Sequence, residues 1–163
     1  MDTINTFSLH ELARVLGDYL LVRHMTLVTA ESCTGGMVAQ AITSISGSSH
    51  WFDRGFVTYS NDAKQEMLGV SSQSLVLFGA VSEPVALEMA QGALLHSRAD
   101  CSIAITGVAG PTGGTVEKPV GTVWTAWADR YGSVRAQQGF FEGDRETIRL
   151  QAAIMALQGL MVS

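Results

Sequence analysis

The feature that most constrains this chain is its alternation of short apolar runs with helical stretches. The runs "TLVTA" (26–30), "GFVTYS" (55–60) and "CSIAIT" (101–106) have strand character. Between them lie "GGMVAQAITS" (35–44), "NDAKQEML" (61–68) with Asn61 as cap, and "VSEPVALEMAQGALLHSRA" (81–99) with Ser82 as cap and Pro84 in the first turn. A capping box, "SLHE" (8–11), opens a helix through Leu12, Val15, Leu16, Tyr19 and Leu20. "TVWTAWAD" (122–129) and "VRAQQGFF" (134–141) flank "RYGS" and predict a hairpin. Residues 143–161 predict a closing helix capped by Asp144, and "ISGSSH" (45–50) and "GVAGPTGGTVEKPVG" (107–121) are loops. The predicted order is α β α β α α β β β α, an α/β sandwich. The hairpin requires at least one antiparallel strand, so the sheet is mixed.

At 163 residues the chain is expected to form one domain over 1–163. Hydrophobic residues make up 47% and charged residues 15%, below the usual quarter. So few charges predict either a large buried centre or self-association, and a homo-oligomer is expected. The net charge of −5 and the scattered basic residues argue against nucleic-acid binding. No apolar stretch reaches the length of a membrane span, and the N-terminus lacks a signal-peptide profile, so a cytoplasmic protein is expected. Cys33 and Cys101 form no CxxC pair, and no His/Asp/Glu set has ligand spacing, so neither metal nor cofactor is expected.

The stretch "TAESCTGG" (29–36) places Ser32 where a strand turns into a helix. There a hydroxyl can be presented at the carboxyl end of the strand, where α/β folds carry their sites. Gly35 and Gly36 let backbone amides approach a ligand, and a helix N-terminus favours an oxyanion. Ser32 is equally suited to being only a cap, and Cys33 is either an alternative nucleophile or a buried thiol. A base is needed. His50 is the histidine in a polar loop. Of the two lysines, Lys118 lies in the Gly/Pro loop, and Lys64 follows a strand on the same edge as Ser32. Desolvation would make Lys64 a competent base, with Tyr59 bonding the amine or relaying a proton; a surface lysine and a strand tyrosine are the plain alternative. "TGVAGPTGG" (106–114), with Thr106, Gly107 and Gly110, supplies amides for an oxyanion or a substrate, or simply connects two strands. Arg145 in "GDR" suits a phosphate or is a surface charge.

Together, "TAESCTGG", "GSSHWFDRGFVTYSNDAK", "GAVSEP", "ITGVAGPTGG", "KPVGTVW" and "GDR" resemble the CinA C-terminal domain family, in the family's order and over about residues 8–160. The resemblance implies a three-layer α/β/α sandwich with a mixed, mostly parallel sheet. It implies a cofactor-free, metal-independent hydrolase of pyridine-nucleotide salvage, acting on a small-molecule nucleotide. The implied reaction turns nicotinamide mononucleotide and water into nicotinate mononucleotide and ammonia. Ser32 matches the family's nucleophile, Lys64 its base and Tyr59 an assisting residue. Two other readings stay open at this stage: a non-catalytic regulatory or binding member of the same family, and an amidase for another nucleotide or small amide.

Overall fold

Five runs pair into one sheet: β1 (Leu27–Glu31), β2 (Phe52–Val57), β3 (Cys101–Gly107), β4 (Thr122–Asp129) and β5 (Val134–Phe140). The computed structural model describes the backbone of residues 2–162 and the side chains of residues 9–162. The strand order is β2-β1-β3-β4-β5. β1 pairs parallel with β2 and β3, and β4 pairs antiparallel with β3 and β5. Four strands therefore point one way and β4 alone runs back. The central strands β1 and β3 are buried almost throughout, whereas the edge strands β2 and β5 are largely exposed. Covering on both faces explains why the central runs lack polar alternation.

Helices cover both faces, giving three layers. On one face α1 (Asp2–Val22), α2 (Met37–Thr43) and α6 (Arg145–Leu160) enclose Leu27, Ile103, Ile105, Val123 and Trp127. The Trp127 indole N–H donates to the Ala156 carbonyl at 2.9 Å, so the ring is buried without an orphaned donor. On the other face α3 (Asn61–Leu68), α4 (Ser72–Phe78) and α5 (Glu83–Leu95) enclose Val28, Ala30, Ala104, Ala126 and Ala128. The alanines let α5, itself lined by Ala86, Ala90 and Ala93, lie close on the sheet. Among the described residues no helix is long and apolar enough to cross a membrane.

The predicted caps at Ser82 and Asp144 are present; their side chains accept from Val85 N–H and Thr147 N–H. Three local expectations are corrected. α1 begins at Asp2, so Ser8 lies inside a helix rather than at its cap, and its side chain lies outside the described residues. The cap of α3 is Ser60, whose hydroxyl accepts from Ala63 N–H, and Asn61 is the first helical residue. β2 spans Phe52–Val57, ending before "TYS" because Ser60 is committed to that cap. α4 was not predicted at all. Only its Leu75 is buried, and Val76 and Leu77 face outward, so its sequence has no amphipathic stripe to detect.

Candidate active site

The carboxyl ends of β2, β1 and β3 lie side by side, and the segments leaving them enclose a cleft of about 370 Å³. That volume suits a small ligand, whose pockets run to about 300–1,000 Å³. Ser32 immediately follows β1. Its N–H donates to the Ile105 carbonyl at 3.0 Å, which ties the turn to β3. Its carbonyl accepts from Gly35 N–H at 3.0 Å, which closes the turn. Ser32 is therefore not a helix cap. The capping of α2 is done by Glu31, whose carboxylate accepts from Val38 N–H and Ala39 N–H, both at 3.0 Å, and from the Thr34 hydroxyl at 2.6 Å. A buried carboxylate on helix-opening amides is a strong cap, since charge and donors coincide.

Lys64 reaches Ser32 from the first turn of α3. Its Nζ lies 2.9 Å from Ser32 Oγ, 2.8 Å from the Thr58 carbonyl and 3.3 Å from the Tyr59 carbonyl. The side chain is 1% exposed, and among the described residues no carboxylate lies within ion-pair distance of it. Burial pushes the Lys64 pKa down, because the charged form loses its water. Two of the three partners are carbonyls, which only accept. In its charged form the amine gives its third hydrogen to Ser32 Oγ; in its neutral form it can give its two hydrogens to the carbonyls and receive the Ser32 hydroxyl on its lone pair.

Cys33 sits in the wall of the cleft, but burial pushes its thiol up to about 11. It remains a protonated thiol at neutral pH, unlike a reactive cysteine. Tyr59 is 63% exposed and lines the mouth of the cleft. Its phenol does not bond the Lys64 amine; that contact is made by its backbone carbonyl. The phenol oxygen instead lies 3.2 Å from Arg145 Nη2, and Arg145 Nη1 donates to the Gly110 carbonyl at 2.7 Å. Arg145 thus bridges the segment after β2 and the loop after β3.

Residues 9–163 match the family described as CinA C-terminal domain. The chain belongs to that family. It is 55% identical over 152 residues to the nicotinamide-nucleotide amidohydrolase PncC of Escherichia coli strain K12, covering 93% of this chain and 92% of the relative. It is 49% identical over 163 residues to the PncC of Pseudomonas putida, covering 99% and 97%. Among solved structures, a competence/damage inducible protein of Agrobacterium tumefaciens superposes with a TM-score of 0.92 at 48% identity, covering 94% of each chain.

In this member of the CinA C-terminal domain family, Ser32, Lys64, Tyr59, Thr106, Gly107, Gly110 and Arg145 all line one cleft. Thr106 also anchors its floor, donating its hydroxyl to the Ala80 carbonyl at 3.0 Å. Gly107 accommodates β4, since a Cβ there would stand 2.7 Å from Val123 Cγ2. Gly35 and Gly36 do not line the cleft. They sit at positive φ, near Arg149 and Val57 respectively. Of the amides opening α2, Met37 N–H donates to the Thr34 carbonyl and those of Val38 and Ala39 to Glu31, so none of the three is free for an oxyanion. His50 lies in a separate depression with His10, and Lys118 Nζ donates to the Phe78 carbonyl. Sequence reasoning missed Arg149, whose Nε and Nη2 donate to the carbonyls of Cys33 at 3.0 Å and Thr34 at 2.9 Å. The available signal was its spacing from Arg145, one helical turn earlier on α6.

Proposed function

We propose that this chain is an amidohydrolase that converts nicotinamide mononucleotide and water into nicotinate mononucleotide and ammonia, serving pyridine-nucleotide salvage, with Ser32 as nucleophile and Lys64 as base. The observation that carries the reading is the 2.9 Å contact between Ser32 Oγ and the buried amine of Lys64. The shared name of its relatives, nicotinamide-nucleotide amidohydrolase, supplies the substrate.

The chemistry runs in two halves. Ser32 Oγ attacks the carboxamide carbon as its proton passes to Lys64 Nζ. The carbonyl oxygen becomes an oxyanion, held by the Cys33 amide beside the nucleophile. Lys64 returns the proton to the departing nitrogen, the C–N bond breaks, and ammonia leaves an ester on Ser32. Water then attacks the ester, giving a proton to Lys64. Collapse frees the carboxylate product and restores the Ser32 hydroxyl. Tyr59 and Arg145, at the mouth, serve to orient the nucleotide, the guanidinium suiting its phosphate.

Ammonia release from nicotinamide mononucleotide by pure protein tests this. Ser32→Ala should abolish it. Lys64→Arg should be nearly as damaging as Lys64→Ala, each lowering kcat/KM by roughly 10²–10⁴-fold, since arginine keeps its proton at any working pH. Near-normal kcat/KM in a folded Lys64→Arg variant removes Lys64 as the base. No ammonia from the wild-type protein removes the substrate.

A further inference from the structure

We propose that Arg149 is a positioning residue that arms the oxyanion-binding amide of Cys33 through two peptide groups; this rests on the amidohydrolase reading above. In a trans peptide the C=O and N–H point in opposite directions, so bonding one fixes the other. Arg149 Nη2 donates to the Thr34 carbonyl at 2.9 Å. The N–H of the same peptide belongs to Gly35 and donates to the Ser32 carbonyl at 3.0 Å. That carbonyl in turn shares its peptide with the Cys33 N–H, which among the described residues donates to no carbonyl and meets only the sulfur of its own side chain. Cys33 lines the cleft directly beside Ser32. A chain of donors thus starts on a guanidinium in α6 and ends on an amide next to the nucleophile that, among the described residues, no carbonyl occupies.

Two effects follow. The turn is held rigid, so the Cys33 N–H needs no rearrangement when charge develops on the substrate oxygen. Each peptide is also polarised by the donor before it, and hydrogen bonds in series reinforce one another, most strongly when the first donor is a cation. The second arm of Arg149, from Nε to the Cys33 carbonyl at 3.0 Å, fixes the next peptide in the same way. Both bonds depend on the planar fork of arginine; a lysine amine cannot reproduce it. Gly35 is suited to its place because its φ of 59 lies in the left-handed region, and a Cβ there would stand 3.1 Å from Arg149 Nη2.

The test uses the full chain as Arg149→Ala and Arg149→Lys, assayed for kcat and KM on nicotinamide mononucleotide, with thermal melting of each. Loss of an oxyanion donor costs about 10²–10³-fold in kcat, so a donor that is present but unsupported should cost roughly 10–100-fold. KM should stay nearly unchanged, because Arg149 does not line the cleft. Millimolar guanidinium should restore part of the kcat of Arg149→Ala, and Arg149→Lys should be intermediate. A lesion of packing alone would move the melting temperature and the active fraction, without rescue by a small cation. A folded variant with wild-type kcat overturns the proposal, as does a lowered kcat that guanidinium does not raise. If Arg149→Ala does not fold, near-wild-type kcat in Arg149→Lys overturns it equally. A wild-type protein that releases no ammonia defeats the amidohydrolase reading instead, and the two failures are thereby distinguished.

Discussion

Lys64 sits among oxygens, and among the described residues no carboxylate lies within ion-pair distance of it. With its pKa lowered by burial, the acid limb of kcat/KM should fall below the ordinary lysine value of 10.5, and activity should rise with pH through that limb. The linkage sign is fixed by the same shift. Between the lowered folded pKa and the unfolded value, the unfolded chain binds the extra proton, so raising pH through that window stabilises the fold. Urea unfolding of wild type and Lys64→Met, compared at pH 7 and pH 9, should show the wild type gaining relative to the variant. A constant difference would mean that the folded amine is charged throughout. At this scale the sequence was most legible where chemistry and spacing coincide. Ser32 and Lys64 were both readable as candidates, each after a strand on one edge. Tyr59 meets the amine through its backbone carbonyl rather than its phenol, and composition says nothing about which part of a residue is used. Arg149 has only its spacing from Arg145 to mark it in the sequence, because its partners lie 115 and 116 positions away, joined only by folding.

α3 carries Lys64, and its position against α5 is set by a glycine. A Cβ on Gly92 would stand 1.9 Å from the Leu68 carbonyl oxygen at the end of α3. Helix propensity alone favours Gly92→Ala by about 1 kcal/mol. The collision is with backbone, which cannot rotate away, and overpacking of this kind costs roughly 1–3 kcal/mol or more. The collision wins. Gly92→Ala should lower the urea midpoint at unchanged slope, and kcat/KM should fall with it, because α3 must shift and take the Lys64 amine with it. Intact stability would show that α5 has slack. Helix ends were legible where the capping residue is unambiguous, as at Ser82 and Asp144. At Ser60–Asn61 two good caps adjoin, and the true one is decided by where β2 releases the chain. The cap of α2 was hidden because Glu31 acts backwards, from the end of a strand onto amides seven and eight residues later.

Across the whole molecule, the cleft forms where strands from distant parts of the sequence end together. The alternation of strands and helices made the layered fold legible, and the hairpin foretold the reversed β4. The order β2-β1-β3 was not legible, since it depends on which edge each returning strand joins. That order places residues 32–33, 59–64, 80–81, 106–113 and 145 around one space, so the centre exists only when β2, β1 and β3 have come together. The lysine count has a further consequence. The chain has only Lys64 and Lys118. Electrophiles consume neutral amines, and a lowered pKa leaves more of Lys64 neutral than an ordinary lysine. Cyanate, small enough to enter the cleft, should carbamoylate Lys64 ahead of Lys118, with activity lost in step, as peptide mass mapping of a time course would show. Modification of Lys118 first, at full activity, would contradict it. One carbamoyl group would then silence the enzyme, with the second lysine as the internal standard for its reactivity.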